Sequence, residues 1–209
     1  MNSIIFTEAP PIERLLSGQE TLTLRVMKNP PTYTREECMA THVQNCSFCM
    51  DMNCCDNEYV ARHPCPHGGK GDLLWVREPH WIYHELADED LDKASDENRA
   101  VLYRADDPSE LSVGWTDGSG KPARWRPSIH MFRRDSRLTV RLVREPTPMR
   151  LNDMSQSQAV EAGYGPLHVG SPLERYHEAW ERLNAKRGYP WSSNPWVWAR
   201  TLQRVEENG

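Results

Sequence analysis

The sequence predicts an α+β fold, a small β-barrel or strongly bent sheet with flanking helices. Three observations predict it. Several segments alternate apolar and polar residues at the period of a strand, two segments open with helix capping boxes, and glycine and proline turns join the elements without regular βαβ alternation.

Each element has its own signal. Prolines at the start and Gly18 as a stop predict a helix from about Pro10 to Ser17. In ETLTLRV, Leu22, Leu24 and Val26 alternate with Thr21, Thr23 and Arg25, so the strand buries an aliphatic face and presents two hydroxyls and a guanidinium on the other. Periodicity is lost from Asn29 to about Pro66 and resumes at GGKGDLLWVRE, where a glycine turn feeds a strand of Leu73, Leu74, Trp75 and Val76 ending in Arg77 and Glu78. SRLTVRLVRE is a further strand, with Leu138, Val140 and Leu142 facing one way and Arg137, Thr139 and Arg141 the other. Ser155 and Gln158 form a capping box with Gly163 as the stop. Ser171 and Glu174 form another, opening a helix to about Arg187 with Leu173, Tyr176, Trp180 and Leu183 on a core-facing stripe. PWVWARTLQRV reads as a closing strand, and no internal repeat occurs.

The chain has 209 residues, enough to bury a sizeable core without disulfides. Charged residues are 26% and hydrophobic residues 38%, and no apolar run approaches the roughly 20 residues of a membrane span. The start lacks a secretory leader, so a cytoplasmic location and no membrane partner are expected. Eight Trp against three Phe is unusual. The net charge of -5 hides a separation along the chain: Glu85 to Glu110 holds ten acidic and three basic residues, whereas Lys121 to Arg150 holds nine basic and two acidic. The first block reads as a solvated insertion over 85–118, partly disordered or helical. The second interleaves Arg with Trp125, Ile129, Leu138, Val140 and Leu142 and reads as a folded basic strand pair able to hold phosphates.

All six Cys fall between Cys38 and Cys65, a clustering unlike a whole-domain disulfide framework. Cys46 and Cys49 have the spacing of a chelating knuckle, which Cys54 and Cys65 would complete around a structural Zn2+, with Cys38, Cys55, His63 and His67 as alternative ligands. Such a site would stabilise an insertion over 35–66; free thiols or a redox role are the other readings.

Gly18-x-x-Thr21-x-Thr23-x-Arg25, CPHGGKGDLLWVRE, RWRPSIHM, SRLTV, DMSQSQAVEAG and NPWVW follow in order. Together they resemble the ASCH-domain proteins, and more narrowly their phage and prophage branch. The resemblance spans about Phe6 to Val205 and implies a single PUA-like barrel domain over 1–209 carrying the two insertions. It implies a ligand cleft between barrel and helices, occupied by RNA or a modified nucleotide. It also makes Cys65 the weakest zinc ligand, since similar proteins carry a Cys before the glycine turn without the rest of the cluster. One branch of the family is an amidohydrolase of N(4)-acetylcytidine, using a Lys, a Thr and a helix Glu. Those positions correspond here to Glu20, Thr23 and Ala162, the last next to Glu161. Catalysis would then involve Thr23 with Glu20 or Glu161, by a changed route; ribonuclease activity has also been proposed in the family.

The expected binding residues are those with a polar face or a flat ring. Thr21, Thr23 and Arg25 form one polar face, and Lys70, Arg77 and Glu78 bracket the next strand. Arg126, Ser128 and Arg137 can donate to phosphate, His130 can stack or hydrogen-bond, and Trp125 and Trp191 supply stacking surfaces near Asn194. The competing structural reading makes WVRE and NPWVW core strands, with Arg77 and Glu78 forming an internal salt bridge. A third class is a phage protein that engages a host protein through its acidic insertion.

Overall fold

Alternation in the sequence becomes strands wherever one face can be buried. The structure, a computed structural model, describes residues 2–28, 30, 65–84, 99–106, 124–165 and 170–205. In chain order these form β1 (Asn2–Ile5), α1 (Ala9–Leu16), β2 (Thr21–Val26), β3 (Leu73–Arg77), β4 (His80–His84), β5 (Arg99–Tyr103), β6 (Thr139–Leu142), β7 (Thr147–Arg150), α2 (Gln156–Glu161), α3 (Pro172–Asn184) and β8 (Trp196–Arg204). The chain is thus mixed α+β. Six strands run in the order β1-β3-β6-β8-β2 with β7 also on β8, and β4 and β5 make a separate two-stranded sheet. β1 lies parallel to β3, while β2 and β7 are antiparallel to β8.

Two compact units emerge. The first holds β1, α1, β3, β4 and β5 and the stretch to Val140. Its buried residues include Ile12 and Leu15 of α1 and Leu74 and Val76 of β3. The second holds β2, β7, α2, α3 and β8 to Gln203. Its core gathers Leu22, Leu24, Val197 and Ala199 from β2 and β8, Ala159 and Ala162 from α2 and the turn after it, and Tyr176, Ala179 and Trp180 from α3. Both predicted capping boxes are formed: Ser155 accepts from the Gln158 N–H at 3.2 Å, and Ser171 from the Glu174 N–H at 3.2 Å. α3 ends at Asn184 and a 3-10 turn, Ala185–Arg187, carries the chain to the expected end.

The differences from expectation are all cases of long-range pairing. β1 carries no alternation strong enough to announce it and exists because residues 2–5 find β3 seventy residues on. The acidic insertion is not helical throughout: within it Arg99–Tyr103 is β5, paired with β4. The basic stretch holds two strands, β6 and β7, but each pairs with β8 rather than with the other. It makes 3-10 turns at Ser128–His130 and Arg133–Asp135 before the short strand β6. Among the described residues no helix is long and apolar enough to cross a membrane.

Candidate functional site

In the second unit the β2–β8 register sets Thr21 opposite Leu202, Thr23 opposite Arg200 and Arg25 opposite Trp198. Directly opposed residues share a face of the sheet. Leu22, Leu24, Val197 and Ala199 occupy the other face, where α2 and α3 cover them. Thr21, Thr23 and Arg25 therefore stand together as predicted, and the closing strand adds Arg200, which sequence reading had left within an ordinary core strand. Arg200 is 2% exposed. Among the described residues its one hydrogen bond is long, 3.4 Å from Nη1 to the His67 carbonyl, and its Nε has no acceptor. Burial, followed by the charge of Arg25, pushes its pKa down to about 10, so it stays protonated at neutral pH. Desolvation, with Arg200, Arg25 and Lys28 nearby, pushes the exposed His67 down to about 4. Burial also lowers Arg25 and raises the Cys65 thiol.

The two proposed catalytic carboxylates differ in placement. Glu20 is bonded to Arg144 at 2.9 Å. Glu161 is exposed at the end of α2, on the helix-covered side of the sheet, whereas Thr23 faces the other side; its neighbour Ala162 is core. The structure does not bring Thr23 and Glu161 together.

Three further predicted residues of this unit have structural duties or surface positions. Asn194 adopts the left-handed conformation at φ 41, which Asn tolerates. Its side chain accepts from the Asn152 N–H at 2.8 Å and its carbonyl from Arg150 at 3.0 Å, so it makes the corner before β8. Trp191 packs on Tyr176 and His177 of α3. Lys70 is exposed in the glycine turn, where its N–H meets Glu145 at 3.3 Å.

In the first unit the expected Arg77–Glu78 salt bridge is replaced by another pairing. Glu78 is fully buried and accepts two bonds from Arg137, each 2.9 Å, in fork geometry. Arg137 also reaches Asp106 at 2.6 Å and stacks over Tyr103 at 4.0 Å. Burial raises the Glu78 carboxyl and works to lower the Arg137 guanidinium, but the bonds to Glu78 and Asp106 hold that guanidinium above its ordinary value. Arg77 stacks over Trp75 at 4.6 Å and donates to the Ile129 carbonyl at 2.9 Å.

That last bond fastens an exposed turn. Between Arg124 and Arg134 the chain carries four Arg and His130 with no carboxylate. Arg124, Arg126, His130, Arg133 and Arg134 are exposed, and Ile129 and Phe132 are 56% and 63% exposed. Arg126 and His80 exchange backbone bonds of 2.7 and 3.2 Å, and the Tyr103 hydroxyl donates to the Asp135 carbonyl at 2.8 Å. Among the described residues buried Ser128 finds no partner for Oγ, and half-buried Trp125 none for its indole N–H. The composition signalled Arg126, Ser128 and His130; Phe132, Arg133 and Arg134 were missed although the basic run contained them.

Of the expected zinc ligands, Cys38, Cys46, Cys49, Cys54, Cys55 and His63 lie outside the described residues. Cys65 is half-buried beside Met27, Trp196 and Trp198. Comparison with family models, with curated proteins and with solved structures finds no match.

Proposed function

We propose that the chain binds single-stranded nucleic acid, RNA in the first place, through the turn from Arg124 to Arg134. The observation that carries this reading is the exposed Phe132 set among four exposed arginines, of which Arg134 also meets the buried Asp135 at 4.0 Å. Guanidinium groups neutralise phosphates, and an exposed ring offers a stacking surface to any base. The backbone bonds that anchor the turn favour binding, because a surface already held in shape loses less entropy on association. The motif resemblance supports the same reading and a PUA-like arrangement of the sheet, with a modified nucleotide as the more specific ligand. A bacterial cytoplasm is the matching location, and the spacing of Cys46 and Cys49 supports a structural zinc.

Fluorescence anisotropy with a labelled single-stranded RNA tests this across a salt series. Affinity falls with salt, with a log–log slope of about −0.7 per phosphate contacted. Replacing Arg133 and Arg134 by Ala makes the slope shallower by about 1.4. No binding at low salt, or equal binding to anionic vesicles, sinks the proposal, and loss of function on deleting the acidic segment would then favour a protein partner.

A further inference from the structure

A guanidinium that folding removes from water is normally met by a carboxylate or by several carbonyl groups, because an uncompensated buried charge is costly. Arg200 has neither. Among the described residues its single bond is the 3.4 Å contact to the His67 carbonyl, its Nε has no acceptor, and the titratable groups acting on it are Arg25 and the Cys65 thiol, with no carboxylate. Opposite it on the neighbouring strand stands Thr23, nearly buried. The charges acting on His67, at the exposed end of this group, are Arg200, Arg25 and Lys28, all positive. Trp198 and Met27 close an apolar wall beside Cys65. Donors without acceptors, beside an apolar wall and within a cluster of cations, are complementary to a compact anion with several acceptor oxygens.

We infer that Arg200 and Thr23 form an oxyanion site for a phosphate group, with Arg25 and Lys28 contributing positive potential. The planar fork of Arg200 suits two phosphate oxygens, and the Thr23 hydroxyl suits a third. The phosphate comes either free or as the monoester of a nucleotide. The inference stands on residues of the second unit and does not rest on the RNA surface proposed for the first.

Thermal unfolding of the full chain with inorganic phosphate, cytidine monophosphate or cytidine tests it. A ligand that binds the native state raises its midpoint. Phosphate and the monophosphate both raise it and cytidine does not; a larger response to the monophosphate identifies the nucleotide as the source, and equal responses identify free phosphate. Arg200→Met keeps the packing volume and removes the charge, so the unliganded midpoint holds or rises while phosphate affinity drops roughly ten- to hundredfold. Thr23→Val lowers the affinity by a smaller factor without unfolding the chain. Replacing Arg133 and Arg134 leaves the phosphate response unchanged, which separates this site from the RNA surface. No response of the native chain to phosphate or the monophosphate, an undiminished response in Arg200→Met, or a response to cytidine equal to that of its monophosphate overturns the inference.

Discussion

Arg137 and Arg200 are both withdrawn from water, yet their surroundings differ in almost every respect. Arg137 meets Glu78 through two bonds of 2.9 Å, Asp106 through one of 2.6 Å, and the ring of Tyr103. Arg200 is the more deeply buried of the two and meets one carbonyl at 3.4 Å. The first guanidinium is complete within the chain and ties β3, the residues after β5 and the approach to β6 into one unit. The second has donors to spare. Charge in a protein interior is thus structural where the chain supplies the counter-charge and a candidate binding site where it does not.

The largest effect separates these two roles. Glu78→Gln leaves Arg137 without its buried carboxylate, and breaking a pair of that kind costs about 3–5 kcal/mol; urea unfolding reads the loss as a lower midpoint. Arg200→Met is expected to move the midpoint up or leave it in place, since it removes a buried charge that no described carboxylate neutralises. A loss as large as that of Glu78→Gln would put Arg200 in the structural class.

The exposed turn supplies the next effect. Phe132→Ala should weaken RNA binding by about 1–3 kcal/mol, the range of one base stack, and change stability by no more than about 0.5 kcal/mol, because the ring is 63% exposed. Anisotropy and unfolding on the same sample separate the two quantities. Ser155→Ala removes the cap of α2 at a cost of about 1 kcal/mol, and RNA affinity should not follow.

The smallest effect is a pH dependence. The bonds from Ser171 hold the Glu174 carboxyl below the usual glutamate range. A carboxylate whose folded pKa is lowered stabilises the fold above its unfolded pKa, and the contribution is lost as pH falls through the folded value. Glu174→Gln should therefore flatten the acid limb of the stability profile, measured by helix circular dichroism.

What could be read from the sequence was what depends on near neighbours. The capping boxes at Ser155 and Ser171 rest on contacts three residues apart, and the Thr21, Thr23, Arg25 face rests on the two-residue period of a strand. The pairings that span long separations were not legible. Glu78 lies 59 residues from Arg137, so nothing local prefers that partner to adjacent Arg77. Arg200 sits in an apolar run that reads as core, and only the register with β2 sets it opposite Thr23. In the turn the basic composition was visible, but the 3-10 conformation that exposes Phe132 depends on Arg77, His80 and Tyr103 reaching across from other strands.

Urea unfolding of Glu78→Gln and Arg200→Met side by side, each with and without inorganic phosphate, tests the central contrast most directly. Glu78→Gln should be strongly destabilised but, where still folded, stabilised by phosphate as the native chain is. Arg200→Met should be at least as stable as the native chain and indifferent to phosphate. The reverse pattern, with Arg200→Met destabilised and phosphate acting on it as on the native chain, would contradict the account and make Arg200 a structural residue like Arg137.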